Sequence, residues 1–188
     1  LVLSPGIDFK TDGIEGYGAE TAQLAPHGWQ GGRQLLLLKR QIEDMDDGGT
    51  GVLTAASGHY RCPPAPYERA CMISHYLKHH KPKSKVLLID AKAQFVKEGL
   101  FKTAFGEHYG GMLELRQSPD LDDLSIMRIG AGAKTGVTKI GQTVTGAVLS
   151  VVPQQRAGTI AFEAGLTDGD WCPVDPTSFA STKAKDVH

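Results

Sequence analysis

The sequence predicts an α/β fold in three layers: a parallel sheet, covering helices and an antiparallel β-meander. Residues 50–56 are a short apolar run typical of a buried strand, and residues 66–80 follow with helical spacing. Residues 85–90 are the next apolar run, so the three segments form one strand, helix, strand unit. From Met112 onward the chain breaks into short β-rich stretches, typical of a meander. The combination is a Rossmann-like domain of the FAD/NAD(P)-binding type.

The remaining elements follow in chain order. Residues 1–3 form a strand that runs into a turn at Pro5-Gly6. Residues 29–45 carry apolar side chains at helical spacing, and Gly48-Gly49 then ends the helix. Residues 95–109 repeat that pattern with a stripe of Phe side chains that predicts a core-facing helix, although an internal glycine weakens it. A further strand and the meander are predicted in residues 112–116, 125–129, 136–140, 143–144 and 147–152.

Length and composition predict one compact domain. Because the sequence has no initiator Met and both of its ends resemble the inside of a chain, we also expect it to be a piece of a longer protein. The chain has 188 residues, of which 40% are hydrophobic, and a formal charge of −1, so it shows no bias toward nucleic acid or an anionic membrane. No apolar stretch approaches the roughly 20 residues of a membrane span. We place a degenerate NAD-binding-like domain at residues 9–165. Residues 1–8 and 166–188 are expected to connect it to a further domain.

The cysteines and histidines indicate neither a disulfide scaffold nor a metal centre. The three cysteines are scattered and form no Cys-x-x-Cys pair. Cys71, His75 and His79 lie one helical turn apart and can in principle clasp a metal ion. A helix end explains the histidines better, because helix C-termini favour His and Lys beside their exposed carbonyls. We therefore expect no metal, and we interpret Cys71 and Cys172 as structural.

The loop after the first buried strand lies where a dinucleotide-binding fold carries its phosphate loop. In such folds, glycines let the backbone approach the pyrophosphate, and free N–H groups at the helix start bind it. Here Pro63, Pro64 and Pro66 have no N–H to donate, and Tyr60 and Arg61 add bulk. The loop therefore argues against bound NAD. Asp90, at the position where NAD enzymes bind ribose, is then expected to be a turn residue.

A cysteine stands in this loop instead. The thiol of Cys62 precedes a helix N-terminus and follows Arg61, and both favour a thiolate. Glu68, in the first turns of that helix, can accept or donate a proton nearby. The alternative is that Cys62 is a small buried hydrophobe and Glu68 an ordinary helix-start charge. The prolines that follow Cys62 favour the functional interpretation, because they fix the backbone and hold the sulfur in one direction.

Several short motifs carry a resemblance to a known family. They are Arg61-Cys62-Pro63-Pro64, Pro66-Tyr67-Glu68-Arg69-Ala70, Pro153 with Gln155-Arg156-Ala157-Gly158, Ala164-Gly165-Leu166-Thr167, and Trp171-Cys172-Pro173-Val174-Asp175. Their order across the chain resembles the flavoprotein subunit of flavocytochrome c sulfide dehydrogenase, which is similar to glutathione-reductase-like disulfide oxidoreductases. The chain resembles the second, central dinucleotide-type domain of that subunit.

The resemblance implies a function and a set of site residues. Sulfide is oxidised next to FAD, and electrons leave through a c-type cytochrome subunit. Cys62 is then one half of a redox-active disulfide, and Glu68 manages protons. Pro5, Gly6 and Trp171 resemble segments that approach the flavin. The second cysteine and the FAD-binding motifs fall in a domain outside these residues, so the isolated chain is expected to be inactive and not to retain FAD. The resemblance also implies a periplasmic location.

Two other functions remain open at this point. The domain can belong to an NAD(P)H-linked flavin disulfide oxidoreductase. It can also be a degenerate dinucleotide fold that serves as an interaction module without catalysis, which the loss of the phosphate loop would equally permit.

Overall fold

The computed structural model describes residues 1–188 and contains nine strands and five α-helices. In chain order the elements are β1 (Ile7–Lys10), α1 (Thr21–Leu24), α2 (Arg33–Asp44), β2 (Thr50–Ala55), α3 (Ala65–His80), β3 (Lys85–Asp90), α4 (Glu98–Tyr109), β4 (Leu113–Gln117), β5 (Ile126–Ile129), β6 (Thr135–Thr138), β7 (Thr143–Thr145), β8 (Val148–Ser150), β9 (Gln154–Ala157) and α5 (Thr159–Glu163). None of these helices combines the length and apolar character that crossing a bilayer requires.

The chain forms two compact units. We call residues 11–58 and 62–153 the sheet unit, and residues 1–10, 59–61 and 154–188 the strand-pair unit. The predicted boundaries, a domain at 9–165 with connections at 1–8 and 166–188, stay a prediction.

The sheet unit is built on a four-stranded parallel sheet in the order β4, β3, β2, β8. The central strands β2 and β3 are buried along almost their whole length, as expected for a parallel sheet covered on both faces. One face packs on side chains of α2, α3 and α4, including Leu38, Tyr67 and Phe105. The opposite face packs on the antiparallel meander β5-β6-β7 and the segment before α1. The three predicted layers are therefore confirmed.

The strand-pair unit has its own small framework. Strands β1 and β9 pair antiparallel, with Ile7 opposite Ala157. The Asp8 carboxylate accepts hydrogen bonds from the backbone N–H and the hydroxyl of Thr159, at 2.8 and 2.5 Å, at the start of α5. Lys10 forms a 2.9 Å ion pair with Asp170. Because a two-stranded sheet is marginal by itself, these polar contacts are needed to fix the unit.

The structure corrects several predicted elements. The strand predicted at residues 1–3 is wrong: the first strand is β1, and Leu1 is 80% exposed, so its apolar character does not reflect burial. Helix α2 begins at Arg33 because Gly32 takes a φ of +83°. Helix α4 begins at Glu98 because Lys97 is left-handed, with a φ of +61°. The stretch at 147–152 contributes β8 to the parallel sheet.

A buried loop, residues 25–28, is fixed to α3 by hydrogen bonds from Arg69. The Arg69 guanidinium donates to the carbonyl oxygens of His27 and Gly28, at 2.5 and 2.6 Å, and lies over the Trp29 ring. The His27 Nδ1 atom accepts the backbone N–H of Trp29 at 3.0 Å. Burial, aided by the charge of Arg69, lowers the pKa of His27 to about 4. His27 is therefore neutral in the folded protein at ordinary pH.

The buried His27 predicts an acid-sensitive fold. The folded protein resists protonating this ring down to about pH 4, whereas the unfolded chain protonates it near 6.5. The unfolded state thus binds more protons between these values, and stability is lost as pH falls from about 6.5 to 4. The loss from this group is up to about 3 kcal/mol. Urea unfolding at a series of pH values measures it. His27→Asn should flatten this dependence, and an unchanged slope in the variant would contradict the assignment.

Candidate functional site

The start of α3 has no backbone N–H group left for a phosphate. The Ala65 N–H donates to the Cys62 carbonyl oxygen at 3.0 Å. The N–H groups of Tyr67 and Glu68 both donate to the Pro64 carbonyl oxygen at 3.1 Å, and the intervening Pro66 has no N–H. The positive end of the helix dipole remains, but its hydrogen-bonding capacity is used internally. This geometry confirms that the loop has lost its phosphate-binding chemistry.

Cys62 is an exposed free cysteine immediately before this helix start. Its φ is +61°, a left-handed conformation that is uncommon for a residue with a Cβ. Such a conformation costs of order 1–3 kcal/mol and tends to occur at functional sites. The alternative that Cys62 is a small buried hydrophobe is wrong, because its side chain is exposed.

Asp90 ends β3 and is completely buried, so the expectation of a turn residue is wrong. Its Oδ2 atom accepts the Tyr67 hydroxyl at 2.6 Å. Its Oδ1 atom accepts the Lys92 ammonium at 2.6 Å and the Lys92 backbone N–H at 3.0 Å. Both oxygens therefore have partners within the protein. The carboxylate is also completely buried, so a ribose could reach it only if the surrounding side chains moved, which is a second feature that disfavours NAD.

Tyr67 also anchors the first turn of α3 through its ring. The ring is completely buried and stacks on Phe95, with centroids 3.6 Å apart and an interplanar angle of 13°. The Lys92 ammonium also lies 5.9 Å from the centroid of the Tyr67 ring. Sequence reasoning assigned no role to Tyr67 or Lys92. The available signal was the spacing of Lys92 two residues after an acidic strand end, where a turn returns the cation to the carboxylate.

Glu68 is exposed on the first turn of α3, and no hydrogen bond or ion pair joins it to Cys62. Its charge acts on Cys71, which lies one turn further along the helix. Burial, with a contribution from Glu68, raises the pKa of the Cys71 thiol. The raised pKa leaves less of the Cys71 thiol as the nucleophilic thiolate, and the side chain is half-buried. Its histidine neighbours His75 and His79 form no group of metal ligands with it.

The other predicted site residues lie in the strand-pair unit. Pro5 and Gly6 precede β1 and are exposed, and Gly6 has a φ of +77°. A Cβ on Gly158 would lie 2.9 Å from the Pro5 side chain, so the Pro5 turn packs directly on the residue that follows β9. Trp171 is half-exposed and pairs with Asp168. The Ala157 N–H donates to the carbonyl oxygen of Asp170, so both predicted segments flank the end of β9.

Comparison with known proteins gives a family and a fold. A family model described as "Sulfide dehydrogenase [flavocytochrome c] flavoprotein chain, central" matches residues 35–153, a span that includes Cys62 and Glu68. The crystal structure of reduced Bacillus anthracis CoADR-RHD is similar in fold, with a TM-score of 0.54 at 14% sequence identity. That likeness covers 89% of this chain and 27% of the other, so the chain spans about a quarter of that protein.

Removing one donor from the buried carboxylate should destabilise the protein. Tyr67→Phe keeps the aromatic stack and deletes the hydroxyl that donates to Asp90, which should cost about 1.5–3 kcal/mol. Urea unfolding measures the change. Tyr76→Phe, whose hydroxyl makes no hydrogen bond in the structure, is the matched control and should change stability by less than about 0.5 kcal/mol. Equal effects of the two substitutions would contradict the role of the Tyr67 hydroxyl.

The left-handed backbone at Cys62 predicts that glycine gives a more stable protein than alanine at this position, the reverse of the order inside a helix. Cys62→Gly should be more stable than Cys62→Ala by about 1 kcal/mol, because only glycine takes a φ of +61° without a Cβ penalty. At Cys71, inside α3, the same pair should have the opposite order by about 1 kcal/mol. The free energies of unfolding in urea give both differences. If alanine is preferred at both positions, Cys62 is not strained.

Proposed function

Because the chain belongs to the family of the flavoprotein chain of flavocytochrome c sulfide dehydrogenase, as its central part, we propose that it supplies one redox-active cysteine to an FAD-dependent sulfide dehydrogenase. The observation that carries the proposal is Cys62, an exposed thiol held in a strained conformation at the start of α3. It lies at the edge of the sheet where dinucleotide folds bind their cofactors. The full-length protein is then a sulfide:cytochrome c oxidoreductase, working with a c-type cytochrome subunit in the periplasm.

In the proposed reaction, Cys62 forms a disulfide with a second cysteine that is not among residues 1–188. Hydrosulfide attacks one sulfur of this disulfide. A new sulfur–sulfur bond forms, the old one breaks, and the products are a persulfide on one cysteine and a thiolate on the other. The dipole of α3 favours a thiolate at Cys62, so this residue is suited to be the leaving group. Glu68, exposed on the same turn, is proposed to exchange protons with incoming hydrogen sulfide and solvent.

FAD supplies the two-electron acceptor when it is bound in the full-length protein. Within this chain, we propose that Pro5, Gly6 and Trp171 contact it. The fit is supported by their accessibility: Pro5 and Gly6 are exposed, no atom lies within 4 Å of the place where a Gly6 Cβ would be, and Trp171 offers a half-exposed aromatic ring. These residues fit a planar ring system better than a diphosphate, because they present apolar surface and no cation. Phosphate-binding groups for FAD would come from elsewhere.

An NAD(P)H-linked disulfide oxidoreductase is a weaker alternative. It needs a phosphate loop and a free ribose-binding carboxylate, and the start of α3 and Asp90 provide neither. An interaction module without catalysis gives no reason for an exposed thiol in a strained conformation.

The proposal is tested in the full-length protein by cysteine substitution. Cys62→Ser should lower sulfide-dependent reduction of a c-type cytochrome by about a hundredfold or more, because a serine hydroxyl forms no disulfide. Cytochrome absorbance measures turnover. Cys71→Ser and Cys172→Ser are matched controls and should retain it, since both residues are half-buried free thiols. Turnover that survives in Cys62→Ser would overturn the assignment, and so would an equal loss in all three variants.

A further inference from the structure

Residues 59–61, which lead into Cys62, lie between two residues with a left-handed backbone, and we call this short segment the excursion. Residues 59–61 belong to the strand-pair unit, whereas Gly58 and Cys62, on either side of them, belong to the sheet unit. Gly58 has a φ of +73° and Cys62 a φ of +61°. The left-handed backbone at Cys62 is therefore the point at which the chain returns from the excursion. A contact that anchors residues 59–61 therefore constrains the peptide that enters Cys62.

A buried glutamine provides such an anchor. The Oε1 atom of Gln155, in β9, accepts the backbone N–H of Arg61 at 2.8 Å. The Gln155 side chain is 2% exposed, and its strand neighbour Arg156 is less buried. Arg61 is the residue immediately before Cys62, so the hydrogen bond fixes the peptide that enters the strained position.

A glutamine at position 155 lowers the stability of the folded protein relative to an apolar residue. Its Nε2 atom is buried and has no hydrogen-bond partner. A buried unpaired amide group is unfavourable, and an apolar side chain of similar shape avoids that cost. Stability of the strand pair alone therefore does not account for a glutamine here. The acceptor that it offers to Arg61 does.

We propose that Gln155 is a positioning residue for Cys62, which it acts on through the backbone N–H of Arg61. On the other side of Cys62, Pro63 favours an extended backbone with a negative φ at the residue before it. The prolines therefore do not account for the left-handed backbone of Cys62, and we assign that constraint to the Gln155 hydrogen bond on the preceding peptide. Without that bond, the backbone at residue 62 can relax to a negative φ, and the thiol loses its fixed exposed position beside the helix start. The consequence for turnover rests on the proposed function of Cys62, whereas the positioning itself does not.

The test measures the reactivity of Cys62 in the full-length protein, independently of turnover. After reduction and removal of the reductant, the rate of alkylation by iodoacetamide is followed for each cysteine by peptide mass spectrometry. Gln155→Leu removes the acceptor and should slow alkylation of Cys62 at least about fivefold, with Cys71 and Cys172 unchanged as internal references.

A matched control separates positioning from general destabilisation. Gln41→Leu also deletes side-chain hydrogen bonds to backbone carbonyls, those of Gln23 and Leu24, and its own amide likewise has a buried atom without a partner. It should leave the Cys62 rate as in the unsubstituted protein. The proposal is overturned if Gln155→Leu leaves that rate unchanged or if all three cysteines change together. Loss of the proposed function would be seen separately, as turnover retained in Cys62→Ser.

Discussion

The carboxyl end of the parallel sheet depends on the hydrogen bonds of one buried carboxylate, that of Asp90. A buried carboxylate with a partner missing costs several kcal/mol, so its three donors are held in place together. They come from the Tyr67 hydroxyl on α3 and from the backbone and ammonium of Lys92. The first turn of α3 is thereby fixed to the end of β3. Because Cys62 lies just before that turn, the position of the thiol depends on a network in which it takes no part.

The same local chemistry leaves no N–H group for a phosphate and leaves an exposed thiol at the start of α3. A dinucleotide site needs unpaired N–H groups at the helix start for the phosphates and a free carboxylate on the next strand for the ribose. In this chain the N–H groups are absent at Pro63, Pro64 and Pro66 or already bonded, and Asp90 is paired inside the protein. The helix dipole remains, and a cysteine sulfur can use it without needing hydrogen bonds from the backbone.

The sequence predicted the parts of the fold that depend on periodicity and missed those that depend on distant contacts. Strand β3 was predicted with its observed ends, because residues 86–89 are a continuous apolar run flanked by charged residues. The pairing of β1 with β9 joins residues nearly 150 positions apart, and no local pattern signals it. The lack of N–H donors in the loop was predicted from its prolines, whereas the exposure of Cys62 was not predicted. The roles of Asp90 and Gln155 were not, because each depends on a partner that only the tertiary structure provides.

The two ends of the excursion at residues 59–61 differ in a way that bears on Cys62. Both ends need a positive φ, and Gly58 meets that need without strain. A second glycine at position 62 would close the excursion equally well. The chain instead carries a cysteine there, at a cost of order 1–3 kcal/mol. The fold gains nothing from this exposed side chain, since it fills no core and pairs with no other cysteine of the chain. Neither packing nor a disulfide within the chain therefore explains the cysteine at this position.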